Sequence, residues 1–240
     1  MRRRTGSDQS ALPTSYTWGN TRSFQIAQGL NERCFEWLAR IARADTASPL
    51  EILSRNRDLW MKFDLRACKR AARNPIVLFD CNFGHYDWWM RVANRDAQPF
   101  RIKGGREYWD AENATPVLRD ILIEARTIAV ADPRAANLIF GAPSIGVTLL
   151  ASLALSDIDR IAAQNIFEFR PRFSDKPVFW RNFLSAAVGV SDEEMEEGYF
   201  FSLQLLGSEL LNSTFARKYT SARTTLRSGR RPLREPAQAM

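Results

Sequence analysis

The chain has 240 residues, 45% of them apolar, and 34 lysines and arginines stand against 27 acidic residues for a formal net charge of +7. That length and apolar share suit one large or two small globular domains, and the basic balance admits an anionic partner. No apolar run approaches a membrane span, the basic start MRRRTGSDQS lacks the apolar stretch of an export signal, and three scattered cysteines make no disulfide framework, so a cytoplasmic protein with no membrane partner is expected.

Residues 1–20 are polar, interrupted by Pro13 and Gly19, and read as a disordered basic arm carrying Arg2, Arg3 and Arg4. A first helix is predicted over 23–44, where Phe24, Ala27, Leu30, Cys34, Trp37, Leu38 and Ile41 recur at spacings of three and four. In "SPLE", Ser48 can cap a helix, with Pro49 at its first position and Glu51 closing a capping box. That helix is predicted to carry Ile52, Trp60, Phe63, Leu65 and Cys68 on one face into "KRAAR", where Asn74 and Pro75 end it. "IVLFD", residues 76–80, fits a short strand or a buried extended linker, and periodicity does not separate the two. "HYDWWMRVAN" predicts a further helix with Trp88 and Trp89 adjacent. "IKGGREYWDAEN" reads as a linker, which places a domain boundary near residue 112 and makes 21–112 a first helical domain.

The second domain, 113–218, is wholly helical by its punctuation. Thr115 and Pro116 open a helix whose apolar face is Val117, Leu118, Ile121, Leu122, Ala125 and Ile128. Asp132 and Pro133 open a short one that runs to Phe140. Ser144 and Ser156 can cap the next two, and "RPRFSDKP" reads as a rigid connector. Pro177 opens a helix with Phe179, Trp180, Phe183 and Leu184. "SDEE", from Ser191 to Glu194, is a capping box for a last helix through Lys218, and 219–240 reads as a disordered basic tail. No internal repeat is evident.

The chemistry available is narrow. Cys81 and His85 have a spacing that puts two ligands on one helical face, but a closed zinc site needs about four ligands and the chain holds a single histidine. No catalytic constellation or phosphate loop is present, so neither an enzyme nor a metal or other cofactor is expected. A helical hairpin over 144–166 is the feature with functional content. Leu149, Leu150, Leu153, Ile158, Ile161 and Ala162 would pack it, while Asp157, Arg160, Gln164 and Asn165 lie on or near its open face. Arg160, Gln164 and Asn165 suit base edges or phosphates, and Arg170 and Arg172 follow in the basic exit. Asp157 and Asp159 suit the helix dipole but repel DNA.

From about residue 115 to 220 the chain resembles FlhD, the subunit that works with FlhC in the bacterial flagellar master transcription activator. "DPRAANLIFG", "LLASLALSDIDRIAAQN", "FRPRF" and "SDEEMEEGYFFSLQLLGSELLN" resemble, in order, segments of that family. The resemblance implies an α-helical, dimeric DNA-binding regulator with a helix-turn-helix-like hairpin and an FlhC-like partner subunit. By position it puts Leu153, Ile161, Ala162 and Asn165 on the hairpin and Arg172 and Phe173 on its exit. Phe169 stands where the family has a cysteine linked to a disulfide between subunits, and Pro171 and Pro177 also depart from the pattern. The first 112 residues are not covered. The alternative is a helical adaptor without DNA contact, with Trp88, Trp89, Phe179 and Trp180 as its partner surfaces.

Overall fold

The computed structural model describes residues 21–44, 50–93, 109 and 111–228. The arm over 1–20, the Ser48–Pro49 cap, most of the expected linker and the tail from 229 lie outside the described residues. Within them the chain is mainly α-helical, with eleven α-helices and one two-stranded ribbon.

Helix α1, Arg22–Ala44, buries Ala27, Leu30, Cys34, Trp37 and Leu38 as its periodicity predicts. The long helix expected next is instead three: α2, Glu51–Ser54; α3, Arg57–Trp60; and α4, Leu65–Ala72. Local side-chain chemistry causes the breaks. The Ile52 carbonyl accepts from Asn56 Nδ2 and from Trp60 Nε1, each at 3.0 Å, while Asp64 is extended and its carboxylate caps the Ala67 N–H at 2.8 Å. Leu65 therefore opens α4 at 59% exposure instead of joining the apolar face.

The ambiguous "IVLFD" contains a strand, β1, Phe79–Asp80, which pairs antiparallel with β2, Arg170–Pro171. Helix α5, Tyr86–Ala93, follows it, and α6, Ala111–Ala131, begins a turn before the expected Thr115–Pro116 start. Then come α7, Pro133–Phe140, capped by Asp132; α8, Ser144–Ser152; α9, Leu155–Gln164; and a 3-10 turn, Ile166–Glu168. Helices α10, Pro177–Val188, and α11, Asp192–Ser228, complete the order. Ser191 Oγ accepts from the Glu194 N–H at 3.2 Å as the capping pattern predicts, and α11 runs past the expected end at Lys218.

The hydrophobic core does not part at residue 112. Trp109 is buried against Trp37, ring centroids 4.4 Å apart, and its Nε1 donates to the Phe169 carbonyl at 2.6 Å. Asn74 Nδ2 donates to Ser202 Oγ at 3.0 Å, and the Val77 N–H donates to the Ile139 carbonyl at 3.0 Å. Helix α10 packs on α2, α3 and α4 of the first half, and α5 packs on α8 of the second.

That crossed packing exposes a duplication the sequence hides. Ser23, Ala27, Leu30, Asn31, Cys34, Trp37 and Leu38 of α1 are buried, and so, at one constant offset, are Ala114, Leu118, Ile121, Leu122, Ala125, Ile128 and Ala129 of α6. The same offset carries buried Ala71 to Ala162, Asn74 to Asn165, Leu78 to Phe169, Trp88 to Phe179, Trp89 to Trp180 and Val92 to Phe183. Among the described residues it also relates the two non-glycine residues of positive φ, Asn82 at 53° and Phe173 at 56°, both at the exit of a strand. Phe79 and Asp80 map onto Arg170 and Pro171, yet Phe79 pairs with Pro171 and Asp80 with Arg170. Equivalent strands paired antiparallel are what a local twofold axis between two copies produces. The chain is thus two copies of one helical unit folded around a pseudo-twofold, with α10 and α5 exchanged across it. Only Asn74/Asn165, Ala71/Ala162 and Trp89/Trp180 among these pairs are identical, so the repeat survives as a burial register and not as matched letters.

No single described helix is long and apolar enough to cross a membrane. The bent pair α7–α8 passes that test by composition only when the two are taken together, and its Ala136, Ile139, Phe140 and Leu150 are buried in the protein's own core.

Candidate nucleic-acid interface

Helices α8 and α9 form where the sequence predicts helices, each packing on α6, and Leu150, Leu153, Ile158, Ile161 and Ala162 are buried. Asp157 Oδ2 accepts from the Ala154 N–H at 3.3 Å and so begins α9 from Leu155 rather than from a Ser156 cap. The residues expected to meet DNA are mostly occupied. Arg160 is partly buried, its Nη2 donating to the Val92 carbonyl of α5 at 3.0 Å and lying 3.5 Å from Asp157. Asn165 is buried, with its Nδ2 on the Ile161 carbonyl at 3.0 Å, where it seals the end of α9.

Arg172 is a structural arginine rather than a surface one, its side chain 3% exposed. Its Nη2 donates to the Phe140 carbonyl at 2.8 Å and reaches Asp80 Oδ1 at 3.4 Å, and its Nη1 meets Glu209 Oε2 at 3.1 Å. Gly141 permits this. At φ 60° it adopts the left-handed conformation, and a Cβ there would lie 2.9 Å from Arg172 Nη1 and 2.4 Å from Leu206 Cδ1. The arrangement ties β1, α7, β2 and α11 together at one point. Desolvation at this site raises the Glu209 carboxyl above the usual carboxylate range against the lowering effect of Arg172.

Gln164 and Arg170 therefore remain as the exposed members of the expected set, and Arg170 lies 3.8 Å from Asp80. The rest of the open face of α9 holds Leu155, Ser156, Asp159 and Ala163, with Asp159 bonded to Arg119 at 2.6 Å. That surface carries no cationic excess.

The four aromatic residues expected as partner surfaces are core residues. Trp89 and Trp180 are 0% exposed, and each indole donates to a backbone carbonyl, Asn82 at 3.0 Å and Arg172 at 2.9 Å. Trp88 stands edge-on to Trp89 at 4.8 Å, and Phe179 edge-on to Trp180 at 5.4 Å, the same arrangement on both sides of the pseudo-twofold. Of these rings Trp180 reaches across the halves, its centroid 6.3 Å from that of Phe35 of α1.

The cationic surface lies on the counterpart of α9. Helix α4 carries Arg66, Lys69 and Arg70 with no carboxylate, and Arg73 follows at its end. Arg66, Lys69 and Arg73 are exposed. Arg70 turns inward to the Gly189 and Ser191 carbonyls, with Asp192 at 3.6 Å, while its own carbonyl accepts from the Tyr199 hydroxyl. As a sequence, "KRAAR" reads only as the end of a helix. The signal lies in the longer stretch "RACKRAAR", where Arg66, Lys69 and Arg73 stand at helical spacing with no acid between them.

Burial raises all three thiols, Cys68 up to about 12, and leaves them protonated near neutrality. Among the described residues no group of three or more His, Cys, Asp or Glu side chains is placed to hold a metal ion. No family model, curated protein or solved structure matches this chain.

Proposed function

We propose that this chain is a transcription regulator of the FlhD type, folded as a single-chain counterpart of a dimer, which binds promoter DNA alone or beside an FlhC-like subunit. The observation that carries the reading is the duplicated helix pair, α3–α4 and α8–α9, of which one copy, α4, exposes cations with no carboxylate among them. A helix carried on a packed helical frame is the element that such regulators present to duplex DNA. The ordered resemblance of residues 115–220 supports it, and so does the basic balance of the whole chain. Recovery of DNA with the tagged full-length protein from its native host tests the proposal. Fragments sharing a sequence are expected, and recovery no different from that of a tag alone overturns it.

The adaptor reading keeps one observation in its favour. Phe200 and Phe201 are exposed along α11, with Phe200 at 70%, and line a groove with Phe179 and Phe183 of α10 that also holds Glu194 and Glu197. An adaptor acting there would bind no duplex DNA, so the same recovery experiment separates the two.

A further inference from the structure

We infer that the exposed ridge of α4 formed by Arg66, Lys69 and Arg73 is the surface that meets the phosphate backbone of duplex DNA, and that α9 is not. The inference rests on the regulator reading above and names the half that carries its contact.

Spacing is the first support. Positions 66, 69 and 73 advance by three and then four residues and so lie in one row along the helix. All three side chains are exposed, and among the described residues none has a hydrogen bond or ion pair, in contrast to Arg70, which packs inward. Cations held on a rigid helix and left without carboxylate partners are the groups that release counterions from a nucleic acid. A flexible cationic tail can do this too, but it cannot fix orientation, and a row on a packed helix can.

The second support is the contrast across the pseudo-twofold. The matching surface of α9 presents Asp157 and Asp159 against Arg160, and Arg160 is committed to Asp157 and to the Val92 carbonyl. In α4 the one acid at the entry, Asp64, is committed to capping. Nearby carboxylates border the ridge without entering it. Glu32 and Glu36 of α1 face the Cys68 side, where their charge helps raise that thiol, and Asp192 at the start of α11 pairs with Arg70. Glu196 of α11, which with Arg73 flanks Tyr199, borders the Arg73 end.

The experiment uses the full-length chain and a fluorescein-labelled duplex of mixed sequence a few helical turns long, with anisotropy read between about 50 and 200 mM salt. The triple variant Arg66→Gln, Lys69→Gln, Arg73→Gln keeps helix-forming side chains of similar length. Each lost phosphate contact is worth about fivefold near 0.15 M salt, so affinity should fall on the order of 100-fold and the log–log salt slope should shrink by about three. Arg134→Gln on α7, an exposed cation outside the ridge, should leave both unchanged. If the wild type binds and the triple variant binds with the same slope, the assignment to α4 is overturned while the regulator reading stands. If the triple variant loses only thermal stability and keeps its slope, the cations serve the C-terminal dipole of α4 and the assignment is again overturned. If the wild type binds no duplex at any salt, the regulator reading fails first.

Discussion

The half over 22–93 and the half over 113–188 place their helices, their strand and their exchanged aromatic pair in the same register, yet they share few residues. What the comparison teaches is which features this fold constrains. Burial positions repeat, while the residues filling them differ widely: Trp37 answers Ile128, and Asn31 answers Leu122. The last pair shows that polar contacts to an equivalent backbone segment are not kept. After α4 the chain enters the core, and Asn31 donates to the Asn74 and Ile76 carbonyls at 3.3 and 2.9 Å and accepts from the Leu78 N–H at 2.9 Å. In the second half an apolar leucine stands in that place, and the side chain that reaches the segment is Trp109. Its target, the Phe169 carbonyl, answers the Leu78 carbonyl of the first half, which accepts from the Arg172 N–H. Buried backbone groups must be paired, but which side chain pairs them is free to drift.

The largest effect should come from separating the halves. Fragments 1–100 and 101–240, produced apart, should each lack a cooperative melting transition, because α5 and α10 would lose the surfaces they pack on and β1 and β2 would lose each other. Mixed or co-expressed, they should form a one-to-one complex that melts cooperatively. Size-exclusion chromatography and circular dichroism read both outcomes. A fragment 101–240 that melts alone at the midpoint of the whole chain would break the description of the two halves as mutually dependent.

Next in size are Trp89→Ala and Trp180→Ala, substitutions at equivalent positions. Each removes a fully buried indole and its hydrogen bond, for an expected loss of about 3–5 kcal/mol in denaturant unfolding. Trp180 packs against Phe35, Phe179 and Phe183, whereas Trp89 packs against Phe83 and Trp88, so the loss at Trp180 should be the larger. Unchanged stability with weakened binding to another protein would return both residues to the partner surface that their sequence context suggests.

Much of the fold is legible in the sequence. The periodicity of α1 and of α6, the Asp132–Pro133 start of α7 and the Ser191 cap of α11 each rest on local chemistry, which a sequence carries in full. The breaks between α2, α3 and α4 are not legible, because Asn56 and Trp60 take the Ile52 carbonyl through side-chain bonds that no apolar pattern encodes. Less of the candidate site is readable. Arg160, Asn165 and Arg172 have the right chemistry for DNA, but their partners Val92, Ile161 and Phe140 decide their role, and two of those three lie far away in the chain. The duplication is hidden for a related reason: a burial register can persist when nearly every side chain that fills it has changed.

The smallest effect sharpens the comparison at the surface. Arg181 of α10 and Asp58 of α3 form a two-point pair across the halves at 2.5 and 2.8 Å, whereas the equivalent approach of α5 to α8 offers Met90 and Leu149, which cannot form one. The hydrogen bond from Arg181 holds the Asp58 carboxyl below its usual range. A carboxyl lowered in the folded state adds stability above its unfolded pKa, about 3.9, and loses it as pH falls through the lower folded value. Asp58→Asn should therefore unfold at slightly lower denaturant than the wild type at neutral pH, and the two midpoints should converge in acid below the ordinary aspartate range. Both partners are about half exposed, so high salt should narrow the neutral-pH difference as well. A difference that persists in acid would mean that Asp58 contributes through packing on α10 rather than through its charge, and this electrostatic asymmetry in how the exchanged helices dock would have no consequence for stability.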